Sequence, residues 1–172
     1  KKNADYVMAQ KYMEEVFKSV SIINPKDYHY MARILMKKNQ GYIKMVDDLG
    51  SLKQQLERES KRYASAPAAE KPKIKPVVDE LTAKVSSQEA AVNTANKEIE
   101  RGFGEFDKLI ALKPNDRAIL NEVAATAYSF RKYDRAAKAW AKMIDPKNEK
   151  PEDYMQIGRA YYNAESLNSA DS

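Results

Sequence analysis

The sequence contains no cysteine and a single histidine, His29. The first absence removes disulfides, thiolate metal sites and thiol nucleophiles. The second removes histidine clusters for a metal and leaves at most one imidazole for proton transfer. Glycine is scarce, with five in 172 residues. The closest pair, Gly102-Phe103-Gly104, has no preceding strand and no following Gly-Lys-Ser/Thr, so it suits close helix packing rather than a phosphate loop. No run of 18 apolar residues occurs, and the opening Lys1-Lys2-Asn3-Ala4-Asp5-Tyr6 lacks the apolar block of a secretory leader. A formal charge of +5 is a modest excess without the basic stripe of a nucleic-acid surface. Asp47-Asp48, and Glu57 with Glu59, point to different faces of a helix and form no paired acid–base site. The cations Lys71, Lys73 and Lys75, set among Pro72 and Pro76 without aromatics, read as a solvated linker. No metal, cofactor or catalytic set is therefore expected, and the chain reads as a non-enzyme.

The strong helix formers Ala, Lys, Glu, Gln, Met and Leu fill the stretches between prolines, so the expected fold class is all-α. From Ala4 to Ile23, Tyr6, Met13, Phe17, Val20 and Ile23 recur at helical spacing until Asn24-Pro25 stops the helix. Pro25-Lys-Asp27-Tyr28-His29-Tyr-Met31-Ala32-Arg33-Ile-Leu35 then matches Pro151-Glu-Asp153-Tyr154-Met155-Gln-Ile157-Gly158-Arg159-Ala-Tyr161 nearly place for place, which indicates an internal duplication. Asp27 and Asp153 are placed to cap their helices by accepting from the first N–H groups. Ala32 and Gly158 are small where two helices approach. Leu120 and Tyr154 are 34 residues apart, as are Phe106 and Trp140, which defines a period. Asn115-Asp116 caps a helix bearing Leu120, Val123, Ala124 and Ala127, and Tyr133-Asp134-Arg135-Ala136 opens a paired helix carrying Trp140 and Met143. Leu167 and Ala170 are expected at the start of a further helix, and both ends of the chain read as cut from a longer array.

The period is interrupted, because Tyr28 and Leu120 are 92 residues apart, 58 more than one period. Within the gap, Tyr42, Met45, Leu49, Leu52, Leu56, Glu59 and Tyr63 step alternately by three and four, the rhythm of a coiled coil. A second seam, Val78, Leu81, Val85, Gln88, Val92, Ala95 and Ile99, follows a Pro-rich link at 65–76 that is expected to be non-helical. Two such arms joined by a short link lie antiparallel. Each is about 30 Å long at 1.5 Å per residue, and projection as a hairpin is expected over packing on neighbouring repeats. The organisation is then 1–40 as repeat-like helices, 41–98 as an inserted helical hairpin, and 99–172 as further repeat-like helices.

The motif at Tyr154, Ile157, Gly158 and Tyr161, the period, and the closing pattern of Gly102, Phe106 and Pro114 resemble the tetratricopeptide repeat family, bacterial members included. The resemblance covers about 4–40 and 97–172. It implies a right-handed α-α superhelix, here interrupted by an antiparallel coiled-coil-like hairpin, acting as a non-catalytic scaffold that binds a peptide or partner helix in a concave groove. Carried over by position, the groove residues are His29, Arg33, Met36 and Lys37, then Asn121, Ala125, Tyr128 and Ser129, then Met155, Arg159, Tyr162 and Asn163. Arg33, Lys37 and Arg159 suit the groove to acidic segments. Ala125 and Ser129 break the two-carboxylate clamp of chaperone-binding members. The alternative is an assembly protein that self-associates through the hairpin. The periplasm or cell envelope is the expected compartment, with the cytoplasm as the alternative.

Overall fold

A computed structural model describes residues 2–147 and 149–170. The described residues form seven α-helices and no strand. They are α1 (Lys2–Ser19), α2 (Pro25–Lys38), α3 (Tyr42–Ser65), α4 (Lys71–Leu112), α5 (Arg117–Ser129), α6 (Tyr133–Ala141) and α7 (Pro151–Ala170). The chain is all-α, as its helix-forming composition implies. Two compact units emerge, one of residues 1–38 with 99–172 and one of residues 39–98. Residues of α4 up to Glu98 belong to the second unit, and those from Ile99 to the first.

In the first unit, local chemistry sets the helix starts. Asn24 precedes α2 and its side chain accepts from the N–H of Lys26, while Asp27 reaches back to accept from the N–H of Asn24. This is a reciprocal capping box, with Pro25 at the first helical place, where its missing N–H costs nothing. Asp153 likewise accepts from the N–H of Lys150, ahead of α7. Asp27 and Asp153 therefore do not cap the first N–H groups of their own helices, as the sequence suggested. Asp116 does so for α5, accepting from Ala118 and Ile119 at 3.1 and 3.2 Å. After α5, Arg131 adopts φ 57°, the left-handed conformation that ends a helix.

Cross-helix polar links arrange the helices of this unit in two rows. Arg33 of α2 meets Glu122 of α5, and Tyr128 of α5 meets Asn163 of α7. In the other row, Glu14 of α1 accepts from Arg101 of α4, and Asp107 of α4 accepts from Arg135 of α6. Between the rows lie the fully buried side chains Met31, Leu35, Ile99, Phe103, Phe106, Leu109, Leu120 and Val123. The rows approach closely at Gly102, where an added Cβ would lie 2.8 Å from Met36 Cε and 3.3 Å from Leu35 Cβ. Gly104 has open space at its Cα, so only the first glycine of the pair is required for packing.

Two helices differ in extent from expectation. α6 ends at Ala141, which leaves Met143 in the turn that follows. α7 runs unbroken to Ala170, so no new helix starts near Leu167. The run Asn163-Ala164-Glu165-Ser166 contains no Gly or Pro to break it.

In the second unit, α3 runs antiparallel to the 71–98 stretch of α4. Tyr42 donates to Asn96, Lys53 pairs with Glu89, and Lys71 Nζ lies 5.5 Å from the centre of the Tyr63 ring, so numbers rise along one helix as they fall along the other. Every α3 residue on the three-four seam is half-buried, and Leu81, Val85, Val92 and Ala95 opposite are buried. The link is shorter than the sequence suggested, because α4 begins at Lys71 and includes both Pro72 and Pro76. Pro72 sits in the first turn, where an N–H has no intrahelical partner. Pro76 lies deeper and denies Pro72 O its donor, a loss offset by burial of Ile74 on the same seam. Replacing Pro76 with Ala is expected to stabilise the start of α4 by about 1 kcal/mol. Native-state hydrogen exchange checks this, through slower exchange of amides 77–80 in the variant; unchanged exchange would mean that the helix gains nothing there.

Candidate functional site

α2 and α5 bring two titratable side chains, Arg33 and His29, together around one carboxylate, that of Glu122. Along α2, places 29, 33 and 36–37 share a face, since residues three and four apart are neighbours on a helix. The Glu122 carboxylate of α5 accepts from Arg33 Nε at 2.6 Å and Arg33 Nη2 at 2.7 Å, one bond to each oxygen. His29 Nε2 lies 2.9 Å from the second oxygen. The forked geometry is the strongest form of guanidinium–carboxylate pairing. Burial raises the Glu122 pKa, but the hydrogen bonds from Arg33 and His29 outweigh it and hold the group below its ordinary value near 4.5. The same bond raises Arg33 above its ordinary value, and its charge is permanent.

Beside this cluster opens a cleft of about 470 Å³, lined by Arg33, Met36, Lys37, Phe106, Glu122 and Thr126. Met36 and Phe106 give it an apolar floor, packed from beneath by Phe103 and flanked by the His29 ring, 6.1 Å from that of Phe106. Lys37 is exposed at the rim, with no ion-pair partner among the described residues. The cleft therefore offers one apolar surface, one uncompensated cation and one neutralised ion pair.

Tyr128 organises a second cluster on α5, α6 and α7. Its hydroxyl accepts from Asn163 Nδ2 at 2.7 Å, and its ring packs against Tyr133 at 5.0 Å and Trp140 at 5.7 Å. Trp140 Nε1 donates to Asn121 at 3.4 Å. Of the residues placed in a groove by sequence, Arg33, Met36 and Lys37 line the cleft, His29 adjoins it through Glu122 and Phe106, and Asn121, Tyr128 and Asn163 lie in the aromatic cluster. Ala125, Ser129, Met155, Arg159 and Tyr162 are exposed.

Three contributors were not assigned to the groove from sequence. Glu122, Thr126 and Phe106 line the cleft, whereas the carried-over places on α5 were 121 and 125. A shift of one residue, about 100° around a helix, separates the two pairs. No pattern along the chain marked Glu122 and Thr126, which are set one turn apart on α5. The consequence is electrostatic: the basic character inferred from Arg33 is cancelled by Glu122.

Replacing Glu122 with Gln is expected to cost about 1 kcal/mol at neutral pH, discounted because Arg33 is more than half exposed. The folded pKa of Glu122 is lowered, so its stabilising contribution is complete above about 4.5 and disappears as pH falls through the lowered value. Thermal midpoints of wild type and Glu122→Gln, measured from pH 7 to pH 2, should therefore converge in acid. A difference that persists at pH 2 would assign the effect to shape rather than charge.

No family model matches the chain, and neither a curated protein nor a solved structure is similar to it.

Proposed function

We propose that the chain is a non-catalytic, tetratricopeptide-like scaffold whose first unit forms a short superhelical array and holds a peptide or partner helix on the face of α2, α5 and α7. The observation that carries this reading is the cleft at Arg33, Met36, Lys37, Phe106, Glu122 and Thr126, open to solvent with an apolar floor and the exposed Lys37 at its rim. The row formed by α2, α5 and α7, tied by Arg33–Glu122 and Tyr128–Asn163, supports a continuous face. The 34-residue intervals and the duplicated segment support a repeat origin for it. In this reading the hairpin of α3 and α4 interrupts the array.

The ligand that fits is an extended or helical segment that sets an apolar side chain on the floor of the cleft and a carboxylate at Lys37. Arg159, exposed on α7, takes a second carboxylate. Because Arg33 is already neutralised, a mixed apolar and acidic segment suits the face better than a strongly acidic one. A peptide array probed with wild type and with the Lys37→Glu, Arg159→Glu variant tests this. Loss of about tenfold or more in binding to the selected peptides is expected, since opposed charges now face each other. Undiminished binding would remove the groove reading.

A further inference from the structure

In the second row of the first unit, α4 and α6 carry a ladder of ion pairs that stops halfway. The two helices run parallel: Lys132, at the start of α6, pairs with Glu100 at 2.6 Å, and Arg135 pairs with Asp107 at 2.9 Å. Residues 132, 135, 138 and 142 recur at intervals of three and four, so they share one side of α6. On α4 the next residue toward that side after Asp107 is Ile110, and the acids end there. Lys138 and Lys142 are exposed, and neither side chain has an ion-pair or hydrogen-bond partner among the described residues.

Beside these lysines lies a groove of about 230 Å³. Ile110, Val123 and Ala139 form an apolar floor, and Val123 and Ala139 are buried. The Arg135–Asp107 pair lines it as a neutralised unit, so Lys138 and Lys142 supply its uncompensated charge. Glu100 and Asp107 fall one 34-residue period before Asp134 and Ala141. A helix continuing the array would therefore meet α6 at 134 and 141, a different side from the one facing α4, and leave this groove open.

We propose that the groove between α4 and α6 binds an acidic amphipathic helix of a partner protein, which sets one apolar side chain on the floor and two carboxylates on Lys138 and Lys142. The two formed rungs show the chemistry that completes the ladder, since each is a carboxylate presented to α6 by a helix lying alongside. Lys138 and Lys142 are one turn apart, so carboxylates one turn apart on a second helix match their spacing. A nucleic acid suits the groove less well, because two lysines beside an aliphatic floor offer no aromatic face for a base. This groove is on the opposite row from the cleft, and the inference stands independently of it.

The probe is an alanine-based helical peptide of about 20 residues that carries a leucine and two glutamates on one face, the glutamates one turn apart. It is titrated by fluorescence anisotropy against the full chain bearing Lys37→Glu and Arg159→Glu, which close the cleft face to an acidic ligand. Saturable binding is expected, weakened about tenfold or more when Lys138→Gln and Lys142→Gln are added to the protein, and likewise when the peptide's leucine is exchanged for alanine. Both lysines are exposed and make no contact that the fold needs, so the added substitutions leave the thermal midpoint unchanged and loss of binding is distinct from loss of fold. Absence of saturable binding, or equal affinity with the glutamines in place, overturns the proposal. Equal binding of the leucine-free peptide also overturns it, by reducing the effect to charge attraction alone. A single-stranded oligonucleotide bound more tightly than the peptide, and lost with the same two lysines, would assign the groove to nucleic acid instead.

Discussion

Replacing Gly102 with Leu is expected to destabilise the first unit by about 3 kcal/mol, a large share of the 5–15 kcal/mol that typically holds a domain together. Gly in a helix interior is normally a weakness, and exchange for a better helix former stabilises by about 1 kcal/mol. Here the sign reverses, because the first added carbon already meets Met36 Cε at 2.8 Å and Leu35 Cβ at 3.3 Å. The Met36 methyl is the end of a flexible chain and can swing aside, but Leu35 Cβ and Ala32 O, 3.5 Å away, are fixed to the backbone of α2. The branched end of a leucine forces the two helices apart, and the row of Phe103 and Phe106 loses its packing with them. Gly104→Ala is the matched control. It lies two places along the same helix in open space and should gain about 0.5–1 kcal/mol. The only tryptophan, Trp140, belongs to the first unit, so its fluorescence during urea unfolding reports this unit alone. Equal midpoints for Gly102→Leu and wild type would refute the close approach of α2 and α4.

Truncation of Phe103 to Ala is expected to cost about 3–5 kcal/mol, the range for removing a buried aromatic side chain. Its ring is fully buried and packs 6.4 Å from that of Phe106, while the Arg135 guanidinium lies 4.8 Å from its centre and is itself held by Asp107. The substitution therefore opens a cavity beneath the cleft floor and removes the surface on which Arg135 rests. For a domain of about 100 residues this loss lowers the thermal midpoint by roughly 15 °C or more. Phe103→Leu, which keeps most of the volume, should recover more than half of it. A uniform small loss in both variants would show that the ring is not central to the core.

The all-α class was legible because helix formers occupy every long stretch and apolar residues recur at helical spacing. Burial on the three-four seam was equally legible: each of Tyr42, Met45, Leu49, Leu52, Leu56, Glu59 and Tyr63 is partly covered. Local signals misled where one residue admits two roles. Pro72 and Pro76 read as helix breakers, yet a first-turn proline needs no donor and Ile74 anchors the turn between them. Asp27 read as a cap, yet Asn24 takes that place and Asp27 reaches back to it. Glycine spacing did not distinguish Gly102 from Gly104, because which one meets a neighbour depends on helix rotation. The Arg33–His29–Glu122 cluster was hidden for a similar reason. Its members are separated by 89 and 93 residues, and no pattern along the chain pairs a carboxylate with its partner across that distance.

The most direct measurement is the footprint of a bound peptide on the protein. A segment chosen from the array is titrated into isotopically labelled full chain, and the amide and side-chain resonances that shift are mapped to residues. A binding face on α2, α5 and α7 predicts that the largest changes fall at His29, Met36, Lys37, Thr126 and Arg159, and that Glu122→Gln alters them. Shifts confined to residues 39–98, with the cleft resonances unmoved, would contradict it and assign binding to the hairpin instead.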